Sequence, residues 1–196
     1  MICKKDEKAS ELVLEALKKK QIVIIPTDTV YGFSSIVEEK DICFEDGTDE
    51  IIRKIKGRDE SKPLIQLISK PQDIKKYTDD ELPQNLLEKW PGSLTIIVNT
   101  KKEHPLYKRY KTIAFRCPGD LWLRNIIEKL GSPIYSTSVN KSGSAVLETV
   151  LEIKNVFEND VSLIVDDDDK KGALPSTLVS IENGKVKVLR QGTVKI

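Results

Sequence analysis

Short apolar runs of strand length recur along this chain of 196 residues, and amphipathic helical stretches separate several of them. Residues 22–25 are typical, four apolar residues that stop at Pro26. Short runs of this kind, bounded by turn residues, indicate strands buried in a sheet. Near its end the chain has two β-runs around Asn183-Gly184, a strong hairpin signal. The pattern predicts an α/β fold, with a twisted mixed parallel and antiparallel sheet and flanking helices.

Residues that start and stop helices divide the chain further. Asp6 or Ser10 is a candidate N-cap for a first helix, and Thr48 is the predicted N-cap of a second, which Gly57 ends. Gly131 ends another. Further predicted strands cover residues 63–69, 94–99, 112–115, 133–138 and 162–165, and further predicted helices cover residues 83–90, 120–130 and 146–157.

Size and composition exclude several classes of protein. A chain of 196 residues suits a single domain, residues 1–196. The formal net charge of +1 weighs against a general nucleic-acid coat, which needs a strong basic excess. No apolar run approaches the ~20 residues of a membrane span, and the first ten residues are too polar for a signal peptide. Three unpatterned cysteines suit a reducing compartment. We therefore expect a cytoplasmic protein that does not span a membrane.

The sequence also lacks the residues that several kinds of chemistry require. The one histidine, His104, excludes His-based triads and multi-His metal sites, so no protein metal site is predicted. Cys117 follows Arg116, but no histidine is available as its base, which disfavours an activated thiol. Neither a P-loop nor a GxGxxG motif is present. The acidic run of residues 166–169 is interpreted as a solvated loop.

Two segments rich in hydroxyl groups follow apolar runs, and we expect them to line one pocket. The first contains Thr27, Asp28, Thr29 and Tyr31, and the second is residues 135–143. In the second segment the side chains of Ser136, Ser138 and Asn140 share one side if the strand continues.

Cationic residues also occur at or near the ends of other predicted helices and strands. They are Lys56, Arg58 and Lys62 after the second helix, Arg116 on the same strand face as Thr112, and Arg190 at the end of the last strand. These hydroxyl groups and cations also have simpler interpretations. The hydroxyl groups are then turn residues that bind the backbone, and the cations are solvated side chains or members of structural ion pairs. Together, cations, hydroxyls and an amide suit a polyanion such as a triphosphate.

Six segments, in this order, resemble the signatures of the YrdC/TsaC family, the L-threonylcarbamoyladenylate synthases of tRNA modification. They are "PTDTVYGF", "KGRDESKPL", "WPGSLT", "AFRCP", "STSVNKSG" and "PSTLVSI…VLRQG", and they extend from Pro26 to Gly192. The chain departs from the family pattern at Ser93, Val139, Ser180 and Gln191. These departures affect loop shape more than side-chain chemistry.

The resemblance implies a site for ATP and a site for threonine. It assigns ATP to Lys56, Arg58, Lys62, Thr112, Ser138, Asn140 and Arg190, with Lys56 and Arg58 as catalytic residues. It assigns threonine to Thr27 or Thr29, Arg116, Ser136 and Ser176, with Arg116 on the carboxylate. The fold it implies has a concave basic cleft.

The implied reaction converts ATP, L-threonine and bicarbonate or CO₂ into threonylcarbamoyl-adenylate and pyrophosphate. This nucleotidyl transfer is the first step of threonylcarbamoyladenosine formation in tRNA. Mg²⁺ would accompany ATP, and the product would pass to a threonylcarbamoyl transferase, with weak binding to RNA or tRNA as a further expectation.

Two alternatives stay open at this point. One is an RNA-binding module of the same fold without catalysis, which the small net charge disfavours. The other is a carbamoyl-transfer domain of the kind found in hydrogenase maturation proteins, although the chain has no CxxC pattern.

Overall fold

The computed structural model describes residues 1–38, 47–58, 64–182 and 185–196. Their strands are β1 (Ile2–Lys4), β2 (Val23–Ile25), β3 (Gly32–Ile36), β4 (Ile65–Leu67), β5 (Leu94–Asn99), β6 (Thr112–Arg116), β7 (Ile134–Ser138), β8 (Leu163–Asp166), β9 (Thr177–Glu182) and β10 (Lys185–Arg190). Their α-helices are α1 (Glu7–Lys18), α2 (Thr48–Lys56), α3 (Gln84–Leu87), α4 (Leu121–Leu130) and α5 (Val150–Phe157).

All these strands join one sheet in the order β1-β8-β2-β3-β7-β4-β6-β5-β9-β10. Pairing is parallel for β1–β8, β2–β8, β4–β6 and β5–β9, and antiparallel for the other neighbours. The predicted mixed sheet is therefore confirmed. Strands β9 and β10 pair as the predicted hairpin, although its turn residues lie outside the described ranges. In the described part of the chain, no helix has the length and hydrophobicity to cross a bilayer.

Most of the predicted helix ends are confirmed. The Asp6 carboxylate accepts a hydrogen bond from the Ala9 amide at 2.7 Å, which caps α1. Gly57 and Gly131 adopt positive φ at the ends of α2 and α4, at 62° and 73°. Glycine reaches this left-handed region without steric cost, which explains why both helices end there.

Two predictions about helix starts were wrong. Gly47, and not Thr48, is the N-cap of α2, because the Thr48 hydroxyl donates instead to the Ile36 carbonyl at 2.7 Å and ties the helix to β3. Helix α5 starts at Val150, later than predicted, because Thr149 and Glu152 form a capping box there.

The first half of the acidic run is held by the protein, so its interpretation as a solvated loop is correct only for Asp168 and Asp169, which are exposed. The Tyr31 phenol donates to the Asp168 carbonyl at 2.7 Å and accepts from the Asp167 amide at 2.8 Å. The Asp167 carboxylate lies 3.3 Å from the Lys5 ammonium and 2.8 Å from that of Lys170. Only the Asp168 side chain is fully solvated, at 92% exposure.

The two faces of the sheet pack against different layers. On one face Phe33, Phe115 and Tyr135 lie in the larger core, where the rings of Phe33 and Phe157 meet edge to face at 4.9 Å. On the other face, helices α1 and α4 cover the apolar residues of β2, β8 and the nearer ends of β4 and β7. This second layer ends at Ile65, which packs against its edge, and leaves Ala114 and Ile97 uncovered. The strand register aligns these three residues in one row. That uncovered region of the sheet is open to a cavity.

Candidate functional site

A cavity of about 300 Å³ lies above the uncovered row of the sheet, where the segments after β2 and at the end of β7 meet. The prediction that these two hydroxyl-rich segments line one pocket is therefore confirmed. Of the twelve residues assigned to substrates from the sequence, eight line the cavity: Thr27, Thr29, Arg58, Arg116, Ser136, Ser138, Ser176 and Arg190.

The cavity wall combines an apolar strip with cations. Ile65, Ala114 and Ile97 form the strip, with hydroxyl groups at both sides. Three arginines line the cavity, and none of the described lining residues carries a carboxylate. Gly32 keeps room for the Ser136 hydroxyl, since a Cβ at position 32 would come within 2.8 Å of that oxygen.

Arg116 is the most thoroughly anchored of the cations. Its side chain is buried, with the residue only 5% exposed, and burial lowers the pKa of its guanidinium although the Asp28 carboxylate opposes that shift. Its Nε donates to the Gly92 carbonyl at 3.1 Å and its Nη1 to the Thr29 hydroxyl at 2.8 Å. Its Nη2 donates to the Asp28 carboxylate. A guanidinium has five N–H groups, so these contacts leave one on each terminal nitrogen.

The turn after β2 holds its own hydroxyl groups in place. The Thr27 hydroxyl donates to the Val30 carbonyl at 2.8 Å and accepts from the Thr29 amide at 3.0 Å. The two threonine hydroxyls are 2.9 Å apart. Thr27 therefore shapes the turn, while Thr29 links the turn to Arg116.

Arg190 reaches the cavity from the last strand. Its Nε donates to the Ser176 carbonyl at 3.0 Å and its Nη2 to the Ser176 hydroxyl at 3.2 Å. The Ser176 hydroxyl also lies 2.7 Å from that of Thr95 on β5. Burial lowers the pKa of the Arg190 guanidinium. Ser176 thus links β5 to β10 and orients Arg190.

A β-bulge determines which face of the sheet Arg190 occupies. The ladder pairs Val188 with Val179 and then Arg190 with Leu178, so Leu189 is an extra residue. In a regular ladder without a bulge, Leu189 would pair with Leu178 on the cavity face, and Arg190 would point to the other face.

Lys56 is buried beside the cavity, but it does not line it. Its ammonium donates to the Ser138 carbonyl and to both the carbonyl and the side-chain oxygen of Asn140, the latter two at 2.9 and 2.8 Å. These three contacts use all three N–H groups of the ammonium. Burial, together with the positive charge of Arg58, lowers the pKa of Lys56 to about 7. In this structure Lys56 holds the loop that follows β7.

Three other predicted residues differ in their placement. Asn140 accepts hydrogen bonds from Lys56 and from the Ser138 hydroxyl, the latter at 2.8 Å, and does not line the cavity. Thr112 is exposed at the start of β6, paired with Asn99, and is not among the residues that line the cavity. Lys62 lies outside the described residues.

The structure places further residues of the two hydroxyl-rich segments in the cavity wall, beyond those assigned to substrates. The Thr137 hydroxyl accepts a hydrogen bond from Arg58 Nη1 at 3.2 Å, and Tyr31 lines the cavity while it anchors the acidic run. Asp28 was noted among the hydroxyls but given no role, and only its position between two assigned threonines could have signalled one. Cys117 is buried with its pKa raised to about 12, the opposite of an activated thiol.

Comparison with known proteins identifies related sequences along nearly the whole chain. The family model Sua5_yciO_yrdC, described as "Telomere recombination", matches residues 15–192. A "Threonylcarbamoyl-AMP synthase" of Pseudoalteromonas translucida is 27% identical over 190 residues, which cover 92% of this chain and 97% of that protein.

Two solved structures share the fold. The crystal structure of YciO from E. coli aligns with a TM-score of 0.82 and 24% identity, over 100% of this chain and 95% of that one. The structure of Sua5 from P. abyssi, "complexed with L-threonine", aligns with a TM-score of 0.81 and 23% identity, over 97% of this chain and 56% of that one. The arrangement of strands and helices described above is therefore a known one.

Proposed function

Because this chain belongs to the Sua5/YciO/YrdC family, we propose that it synthesises L-threonylcarbamoyl-AMP from L-threonine, bicarbonate or CO₂, and ATP, with release of pyrophosphate. The reaction is the first step of threonylcarbamoyladenosine formation in tRNA, and its class is nucleotidyl transfer. The observation that carries the proposal is Arg116, a buried and anchored guanidinium at a cavity that two further arginines line.

We assign the threonine carboxylate to Arg116. Its two remaining N–H groups, one on each terminal nitrogen, match the two oxygens of a carboxylate, and such forked pairs are among the stronger hydrogen-bonding arrangements. Thr29, Ser136 and Ser176 lie around the same cavity and supply hydroxyl groups for the amine and hydroxyl of the amino acid. The threonine site thus joins the turn after β2 to the ends of β6 and β7.

We assign the phosphates of ATP to Arg58 and Arg190, with Ser138 as a further donor. All three line the cavity. Lys62, outside the described residues, and Thr112, outside the cavity lining, stay predicted ATP contacts. The predicted contacts from Lys56 and Asn140 would require both residues to leave their present partners.

Mg²⁺ would enter on the phosphates, since no carboxylate is present among the described lining residues to hold it. There it would offset phosphate charge. Within the described part of the chain, no three acidic, Cys or His side chains form a metal-ligating group.

The protein's contribution to the reaction is to hold two anions together. The amine of threonine and bicarbonate form a carbamate with loss of water, and a carbamate oxygen attacks the α-phosphorus of ATP. The bond from this phosphorus to the β-phosphate oxygen breaks, and pyrophosphate leaves. Without the arginines, the carboxylate, the carbamate and the triphosphate would repel each other, so fixed cations lower the barrier by positioning and charge stabilisation.

The proposal also includes the protein that accepts the product and the location in the cell. Threonylcarbamoyl-AMP is a mixed anhydride, so a transferase that accepts it is the proposed next protein. Two free cysteines, Cys3 and Cys117, are compatible with the predicted cytoplasmic location. Weak binding to RNA stays a prediction.

The test is the release of pyrophosphate by the pure protein. We expect release from ATP to require both L-threonine and bicarbonate, and labelled bicarbonate to appear in a product that contains threonine and AMP. D-threonine serves as a matched control, because it has the same charges in the wrong arrangement. Release at the same rate without threonine would indicate a general nucleotidase and contradict the proposal.

A further inference from the structure

Asp28 holds Arg116 without lining the cavity itself. Its carboxylate accepts from Arg116 Nη2, yet Asp28 is not among the residues that line the cavity. Its side chain is 19% exposed. A carboxylate that competed with substrate for Arg116 would have to lie within the cavity, so this placement indicates support of the arginine.

The surroundings of Asp28 keep its carboxylate in one place. The Ser93 hydroxyl donates to Asp28 Oδ2 at 3.3 Å. Gly119 lies so close that a Cβ there would come within 3.0 Å of the same oxygen and 3.6 Å of the Gly92 Cα. The Gly119 backbone therefore packs against the carboxylate, and a longer acidic side chain would have to move away from this position.

The three anchors of Arg116 act on three different nitrogens. Gly92 holds Nε, Thr29 holds Nη1 and Asp28 holds Nη2. All three hydrogen bonds have a charged donor, but Asp28 alone among these partners is charged, so it adds an ion pair to its hydrogen bond. Asp28 therefore contributes most to the orientation of the guanidinium plane.

We propose that Asp28 is a positioning residue for threonine: it orients Arg116 so that one N–H on each terminal nitrogen faces the substrate carboxylate. This inference rests on the threonine site proposed above. Asp28 itself touches no substrate, so its loss acts through the geometry of Arg116 and affects threonine far more than ATP.

The experiment compares Asp28→Asn and Asp28→Glu with the wild-type enzyme in the pyrophosphate assay. We expect the threonine KM to rise about tenfold in Asp28→Asn, as the ion pair with Arg116 is replaced by a hydrogen bond to a neutral amide, while the ATP KM is unchanged. Asp28→Glu keeps the charge but displaces it against Gly119, so its threonine KM should also rise. Melting temperatures are measured on the same samples.

Asp73→Asn is the matched control. The Asp73 side chain is 21% exposed and also forms an ion pair, with Lys76 at 2.8 Å, but it lies outside the cavity. Its threonine KM should equal that of the wild type.

Each other result contradicts the inference in its own way. A lower threonine KM in Asp28→Asn would show that Asp28 competes with substrate. A fall in melting temperature with unchanged KM values, or an equal rise in both KM values, would show a purely structural role. Wild-type enzyme without threonine-dependent release would overturn the proposed function and this inference with it, whereas threonine-dependent release with a wild-type KM in both variants would overturn the inference alone.

Discussion

Arg116 and Lys56 are both buried cations next to the same cavity, yet the structure uses them differently. The two residues are 5% and 3% exposed. Arg116 is held by three partners and keeps two N–H groups, whereas Lys56 gives all three of its N–H groups to the loop after β7. A buried cation beside a cavity can therefore either keep donors for a ligand or use all of them to hold the surrounding protein in place.

The difference follows from the number of donors on each group. Five N–H groups in a plane allow an arginine to be anchored and still bind a ligand. A lysine with three donors cannot do both once three protein acceptors surround it. The following predictions test whether this division of roles holds.

The largest effect is expected at Arg116. Arg116→Ala should weaken threonine binding by about two orders of magnitude, because a charged hydrogen bond contributes up to about 3 kcal/mol. Arg116→Lys should still cost at least about tenfold, since lysine keeps the charge but lacks the fork. The measurement is the threonine KM, with the ATP KM and the melting temperature recorded on the same variants.

Arg124→Lys on α4 is the control for this pair, because Arg124 lies outside the cavity lining. A well-folded Arg116→Lys enzyme with an unchanged threonine KM would show that charge alone matters, and the assignment of the fork would be wrong.

A somewhat smaller effect is expected at Arg190, which extends the comparison to a cation on the edge strand. Arg190→Ala should weaken ATP binding by about one to two orders of magnitude, the loss of one charged hydrogen bond, and change threonine binding little. Calorimetry with ATP measures it. Lys187→Ala, on the same strand but outside the cavity lining, is the matched control. Unchanged ATP binding in Arg190→Ala would remove this residue from the site.

The effect expected at Lys56 is of another kind, because it concerns stability and not the binding of a substrate. Burial lowers the pKa of Lys56 to about 7, so between pH 7 and the ordinary lysine value the unfolded chain binds more protons than the folded one. The unfolding free energy of the wild type should therefore rise with pH through this window relative to Lys56→Met, by up to about 1.4 kcal/mol per pH unit.

Denaturant unfolding of both proteins at a series of pH values tests this prediction, and methionine removes the titrating group while it keeps the length of the side chain. Parallel stability curves for the two proteins would show that Lys56 keeps an ordinary pKa. In that case the comparison between the two cations would need revision.

Local chemistry explains which features could be predicted from the sequence. Asp6, Gly57 and Gly131 end or start helices through interactions within a few residues, so their roles could be inferred without a fold. Strands β5 and β7 could be predicted from apolar runs bounded by turn residues. The prediction that Thr48 is an N-cap failed because the partner of its hydroxyl, the Ile36 carbonyl, lies on another element.

The sequence by itself determined most strands and helices of this protein, though not β1 and β3. It also determined the family and the polar residue types at the ends of the strands, because propensity, capping and motif order are properties of short segments. Only the tertiary structure decided which of those residues share a cavity. Lys56 meets its acceptors across more than eighty positions of the chain, Asp28 meets Arg116 across 88, and one extra residue, Leu189, turns Arg190 to the cavity face. Such contacts depend on sheet order and register, which no single segment contains.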